Sequence, residues 1–276
     1  MRVVKRLVGR AARWLAPLAV LGLAAAPAAA YLPPVDDMLE RVAVRAPGVT
    51  AAILEFTTQV YPVALGLAAG EPAPTQPDKK RSFRQRVYWQ RGALLAVETL
   101  AEDGAVLAVS VADKAGVQEA SVASSRRFSE ADLRLAVYPF LEGRASAWRS
   151  ELNFWGVLPN QVHVAMLKGG VFYRVQESPE KALWVERETL RPAVLASQIE
   201  GPEPLALTIE FSDFLALAVR GERQIQSLPR KTTFRISGQR FKETVLGEYE
   251  INPPARKFPL QRLRQQAGGG PARRER

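Results

Sequence analysis

The side chains that most often do chemistry are scarce in this sequence. His163 is its single histidine, and there is no cysteine among 276 residues. A two-histidine metal site, a zinc–thiolate centre and a thiol nucleophile are therefore excluded. A serine triad would have to run through His163, which stands between Val162 and Val164 in a strand-like alternation. A plain strand histidine is the simpler reading. The nucleophile elbow G-x-S-x-G, the phosphate loop G-x-x-x-x-G-K-[ST], G-x-G-x-x-G and H-E-x-x-H do not occur. Glu186 and Glu188 share one face of a strand end. A glycosidase needs two carboxyls at a set separation across a cleft, and acids beside a turn are more simply solvated charge. The residues support no enzyme, no cofactor, no catalytic group and no metal site.

What the sequence does invest in is aromatic and β-branched surface on short hairpins. The stretch "VFYRVQESPEKALWVERETLRPAV" (Val171 to Val194) holds two strands joined by a polar turn, then a further turn and strand. Both strands carry a large aromatic, Tyr173 and Trp184. Elsewhere the alternation is similar. Ala52, Leu54, Phe56, Thr58 and Val60 share a face, as do Phe83, Gln85, Val87 and Trp89. Leu95 goes with Val97, and Leu107 with Val109 and Val111. A weaker run extends from Val117 to Val122. Further runs follow at Val162 to Met166, Val171 to Val175, Leu183 to Val185, Leu195 to Ile199, Leu205 to Phe211, Thr232 to Ile236 and Phe241 to Ile251. Arg91-Gly92, Asp103-Gly104, Lys114-Ala115-Gly116 and Gly169-Gly170 mark turns between them.

Helical spacing is confined to short pieces. Asp36 and Asp37 open one, with Val35, Met38, Leu39 and Val42 on its stripe, and the two acids suit a helix N-terminus. A second is expected from Ser129 to Leu141, with Leu133, Ala136 and Phe140 on one stripe and Pro139 forcing a kink or an earlier stop. A third is expected from Ala147 to Phe154. The prolines and charges of Glu71 to Ser82 read as a long surface loop. The pattern is mainly β (α+β), with about eleven strands in one strongly curved antiparallel sheet and two or three short helices.

The ends account for the charge. The formal net charge is +10, but five of the 38 basic residues precede residue 31 and seven lie from Arg256 onward. That leaves 26 basic against 27 acidic residues between them, so the basic patch that nucleic-acid binding requires is not expected. Arg2 to Arg13, the apolar run Trp14 to Leu23 and Ala28-Ala29-Ala30 form the pattern of a secretory signal peptide cleaved after Ala30. The apolar run is about half of the ~20 residues of a membrane span. Residues 1–30 are thus expected to be a signal peptide, 31–255 one folded domain in the periplasm, and 256–276 a basic disordered tail.

Several of these segments resemble one family. "LNFWGVLPNQVHVAMLKGGVFYRVQESPEKALWVERETLRPAVL" is similar to the second half of the bacterial periplasmic lipoprotein-carrier superfamily, which includes the outer-membrane lipoprotein-sorting proteins. Gly156-Val157, Val171 with Tyr173, Leu183-Trp184-Val185-Glu186, and Thr189 with Arg191-Pro192 carry the likeness. "RQRVYWQRGALLAVETLAEDG" resembles the family's first hairpin, and "FKETVLGEYEINP" its closing strand. The strand-end aspartate of the pattern is Glu186 here, and the glycine before its turn proline is Arg191.

The resemblance implies a half-open β-barrel with a helical lid, acting as a chaperone in lipoprotein transport and outer-membrane biogenesis. Its ligands would be lipid or lipoprotein acyl chains, and its partners lipoprotein-handling proteins of the inner or outer membrane. The cavity lining would be Leu54, Phe56, Val87, Trp89, Val97, Val109, Val164, Tyr173 and Val185, and the lid would include Leu133 and Phe140. Trp89 and Trp184 either line the cradle or buttress it. The alternative is an envelope sensor or binding module of the same fold that recognises a protein partner and carries no lipid.

Overall fold

The computed structural model describes residues 32–43, 48–61, 80–113, 116–121, 135–199, 204–217, 219–221 and 226–268. The expected signal peptide, most of the expected 71–82 loop, Leu133 and the last eight residues lie outside the described residues. Among the described residues, no helix is long and apolar enough to cross a membrane.

Twelve strands pair antiparallel into one sheet. They are β1 (Ala51–Val60), β2 (Arg81–Gln90), β3 (Leu94–Leu100), β4 (Val106–Asp113), β5 (Gly116–Ser121), β6 (Gln161–Leu167), β7 (Gly170–Gln176), β8 (Ala182–Glu186), β9 (Pro192–Ile199), β10 (Leu205–Leu217), β11 (Gln226–Ile236) and β12 (Gln239–Ile251). The sheet order is β5-β4-β3-β2-β1-β12-β11-β10-β9-β8-β7-β6. Consecutive strands are neighbours everywhere except at the centre, where the chain's first strand pairs with its last. The two free edges, β5 and β6, are not joined to each other, so the sheet curves without closing. Its middle is built from long strands, with 13 residues each in β10 and β12, while the edge strands have six and seven. Short edges limit the unpaired backbone that could recruit another chain.

Three helices lie on one face. α1 (Val35–Val42) has Asp36 and Asp37 in its first turn and buries Met38, Leu39 and Val42. α2 is only Tyr138–Glu142, shorter than the helix expected from Ser129. The reason is local: Leu135 to Val137 are not helical, Ala136 has φ +53°, and Pro139 falls in the first turn, where its missing N–H costs nothing. Gly143 ends α2 in the left-handed conformation, its N–H reaching Pro139 O. α3 (Ala145–Phe154) follows at once, burying Ala147, Trp148, Glu151 and Leu152. An ion pair between Arg149 and Asp36 ties α3 to α1.

These helices and the concave sheet face form one apolar cluster that includes Met38, Leu54, Trp89, Phe140, Trp148, Leu195, Ile209 and Phe234. The convex face has a second, separate cluster. There Ala51, Tyr88, Leu94, Ala96, Val109 and Val111 are covered by Phe258, Leu263 and Ala267 from the C-terminal segment. That segment is a 3-10 turn (Ala255–Lys257) followed by α4 (Leu260–Gly268). The expectation of disorder from residue 256 is thereby corrected for residues 256–268. Leu260, Leu263 and Ala267 recur at helical spacing, so this basic stretch also carries an apolar stripe. Arg262 binds the buried carboxylate of Glu98 at 3.0 Å. The end of the expected 71–82 loop is likewise amended, since Arg81 and Ser82 already belong to β2.

Two stability consequences follow. Truncation before Ala255 should uncover the convex cluster and lower the melting temperature clearly. Leu263→Ala alone should cost about 2–5 kcal/mol, the usual range for a fully buried leucine, read from denaturant unfolding. A truncated chain that melts with the full-length protein would refute the packing role of α4. The second consequence concerns acid. Hydrogen bonding from Arg86 holds the Glu55 carboxyl below its ordinary value of 4.5, against the opposing effect of burial. For Glu210 and Glu243 burial pulls upward but is outweighed by Lys168 with Arg235, and by Lys231 with Arg240, so both are lowered too. A depressed folded-state pKa gives stability that is present above the unfolded value and lost as pH falls through the folded one. Urea midpoints should therefore be flat from neutral pH to about 5 and fall below the ordinary carboxylate value. Glu55→Gln should flatten that fall.

Candidate functional site

The concave face carries the larger of the two apolar clusters, and strand register shows how it is assembled. Residues directly opposite in antiparallel strands point to the same side. Leu54 lies opposite Val87, Ala52 opposite Trp89, Val87 opposite Val97 and Trp89 opposite Leu95. On the other half, Tyr173 lies opposite Val185 and Val164, Leu183 opposite Leu195, and Ile209 opposite Phe234. The result is a trough running across the sheet from β3 to β6.

Its middle is filled from within. Phe140 of α2 meets Trp148 of α3 edge-on at 4.8 Å between centroids and Phe211 of β10 at 5.1 Å. Such pairs add about 0.5–1.5 kcal/mol beyond their buried area. Two indoles need partners for their N–H groups in this dry setting. Trp89 Nε1–H donates to Glu142 Oε1 at 2.8 Å, and Trp155 Nε1–H to Glu151 Oε1 at 2.7 Å. The Glu142 carboxylate also accepts from Gly92 N, weakly at 3.4 Å, and lies 3.8 Å from Arg144. Glu142 thus fastens α2 to the β2–β3 turn. On the far side the Ser197 hydroxyl bonds to the Trp155 carbonyl. Burial raises the pKa of the Tyr138 phenol, with the nearby Glu142 charge adding to it, so that group is neutral at physiological pH.

Toward one end the floor becomes polar. Thr99 lies opposite Gln85, Thr58 opposite Thr244, and Thr244 opposite Thr232. All five are buried, and Thr58 Oγ1 donates to Gln85 Oε1 at 2.7 Å. Lys242 is also fully buried, with its ammonium 3.9 Å from the centre of the Phe234 ring. This band of hydroxyls, amide and cation crosses β3, β2, β1, β12 and β11 in an otherwise apolar trough.

At the β6–β7 edge the trough opens. Val164, Met166 and Val171 share its face but are 45 %, 64 % and 40 % exposed. They continue the apolar floor into solvent. A contiguous exposed apolar strip of this kind marks a place for a ligand or partner.

Most of the expected lining residues meet here. Leu54, Phe56, Val87, Trp89 and Val185 are buried in the concave cluster, and Val97 and Tyr173 pack against it. Val164 is at the open end. Phe140 is on the helical cover, and Leu133 lies outside the described residues. Val109 is a correction. It lies opposite Glu98, not Val97, and so points to the convex side with Val111 under α4. Ser110 and Ala112 take the concave positions instead. Alternation joined Val109 to Val111 correctly but could not say which face they cover.

Trp184 also faces outward, contacting Phe172 edge-on at 6.4 Å under the Arg174 guanidinium. Of the hairpin's two aromatics, Tyr173 lines the trough and Trp184 buttresses its back. His163 is half-buried beside Gln161, 2.8 Å away. Glu186 accepts from the Thr189 hydroxyl at 2.5 Å and serves the turn before β9. In that turn Leu190 has φ +56°, a left-handed conformation seldom adopted by residues other than glycine. Among the described residues no group of three metal-ligating side chains converges. Met166, Val171 and the carboxylates Glu142 and Glu151 were not singled out from the sequence. The alternation contained the first two; no local signal marks the other two.

No known protein family matches the sequence, nor does any curated protein. Among solved structures, the chain is similar to a LolA superfamily protein from Nitrosomonas europaea, with 10% identity and a TM-score of 0.48, over 82% of this chain and 97% of that one. It is also similar to an outer membrane lipoprotein-sorting protein domain from Vibrio parahaemolyticus, with 11% identity and a TM-score of 0.47, again over 82% and 97% of the two chains.

Proposed function

We propose that this protein is a cell-envelope carrier that binds the acyl chain of a lipid or lipoprotein between its concave sheet face and the helices α1 to α3. The observation that carries the reading is the continuity of the trough floor with the exposed Val164, Met166 and Val171. A chain can start on this strip without any rearrangement. It can then advance only by displacing the side chains of the helical cover.

The displacement is what makes reversible carriage workable. Burying a chain of about ten methylenes gains ~8 kcal/mol. Separating Phe140, Leu141 and Trp148 from the sheet gives up a comparable apolar area, and the Trp89–Glu142 hydrogen bond is lost as well. Loading is therefore an exchange of one apolar filling for another, close to balanced, and unloading needs no large input. The polar band at Thr58, Gln85, Thr244 and Lys242 would receive the ester or charged end of an amphiphile. The secretory pattern at the N-terminus supports an envelope location, and proteins that deliver or accept lipoproteins would be its partners.

A second reading has its own observation. The centre of the trough is already occupied by Phe140 and Trp148, which suits a module that recognises a protein partner through the open strip alone. The two readings separate on a fluorescent acyl probe. A carrier should bind it saturably, and Val164→Glu with Met166→Glu should weaken binding at least tenfold with the fold intact, because both sites are exposed. Glu142→Gln, which loosens the cover, should speed probe release. A wild-type protein that takes up no probe, and carries no lipid when purified from cells, would overturn the carrier reading.

A further inference from the structure

The convex side carries a second site that owes nothing to the trough. The β6–β7 hairpin outruns the short β8, and its tip reaches back over the outer face of the sheet. There Lys168 Nζ contacts Glu210 of β10 at 2.9 Å. Beneath the tip is a cleft of about 440 Å³ whose floor is the outer face of β9 to β12. Phe172, Val194 and Leu167 supply apolar wall, and most of the remainder is charged.

The charge arrangement is specific. Glu210 sits between Lys168 and Arg235, the latter at 3.3 Å. Glu243 sits between Lys231 at 3.1 Å and Arg240 at 3.0 Å. Four cations thus converge on two carboxylates, and Asp213, exposed, is the one further acid in the lining. Each carboxylate has two cationic neighbours, so an incoming cation meets an unfavourable field. An incoming anion finds donors from two sides, two of them guanidinium groups able to bind oxygen pairs. Lys168 and Asp213 line the cleft with φ +49° and +53°. At Lys168 this is the two-residue turn with Gly169, φ +82°, that closes the hairpin and aims the lysine over the sheet. An ordinary solvated ion-pair network would lie flush on the sheet; this one encloses a volume beside an aromatic ring.

We infer that the cleft under the β6–β7 tip binds a phosphate-bearing ligand, the anion held by Lys168, Lys231, Arg235 and Arg240 and its organic part placed against Phe172 and Val194. The phosphate could belong to a small soluble ester or to a phospholipid headgroup, and the experiment distinguishes them. Glycerol 3-phosphate is titrated calorimetrically into the full-length protein at low ionic strength. In parallel, the protein is co-sedimented with phosphatidylcholine vesicles that contain or lack phosphatidylglycerol.

Saturable binding of glycerol 3-phosphate supports a small-ester site. Binding only to the phosphatidylglycerol vesicles supports a headgroup site. In either case Lys168→Ala with Arg240→Ala should weaken binding at least tenfold with only a small fall in melting temperature, since both side chains are well exposed and each carboxylate keeps a second cation. Glu210→Gln should strengthen binding, because it releases Lys168 and Arg235 from a competing anion. A purely structural network predicts no such gain. Absence of saturable binding to both probes, or binding indifferent to the double substitution, would overturn the inference. Neither probe arm depends on acyl uptake by the trough.

Discussion

A wide antiparallel sheet has two faces, and the sequence makes both of them apolar over part of their width. Everything else in the fold answers that constraint. The concave face is met by α1, α2 and α3, which lie in the curve of the sheet and share one cluster with it. The convex face is apolar only across β1 to β4, and there a single short helix, α4, suffices. Over β9 to β12 the same outer face is charged and needs no cover. Where neither solution reaches, at Met166 and its neighbours, apolar surface is left to solvent. Other large apolar residues left exposed, such as Leu158 and Val245, do not extend the trough floor.

Hiding both faces with so little helix forces polar groups into dry places, and those that join the helices have been given partners. The indoles of Trp89 and Trp155 reach the carboxylates of Glu142 and Glu151, and Glu98 reaches Arg262. Breaking one member of such a pair strands the other, which costs more than the bond itself is worth. The helical cover is thus held to the sheet at named points, with packing between them.

Much of this was readable from residue order. A single antiparallel sheet of about eleven strands follows from runs of alternating residues separated by Gly92, Asp103-Gly104 and Gly169-Gly170, where twelve strands pair, and most of the expected lining residues do share the concave face. What could not be read was anything that depends on which side of a strand is in. Val109 and Val97 belong to adjacent strands with similar patterns, yet they face opposite ways because Val109 pairs with Glu98. Composition also misled at the C-terminus, where arginines and glycines concealed the spacing of Leu260, Leu263 and Ala267. α2 was overextended because a helical stripe was followed through Ala136, whose backbone turns left-handed. The polar cleft was invisible in principle. Lys168 and Glu210 are 42 positions apart and meet only because β8 is short.

The pairing of β1 with β12 has a consequence in time. The central seam joins Ala52 to Ile251, so the middle of the sheet cannot exist until nearly the whole chain has been made. Hairpins such as β2–β3 and β6–β7 can form early, but each remains a fragment with one side unpaired. Contacts of such long sequence separation slow folding, since a large loop must close before any of them is gained. A ribosome extending this polypeptide thus releases an unfinished sheet, and the native state comes within reach only as the final strand emerges. For a chain that must pass a narrow channel before it works, such lateness would keep it threadable.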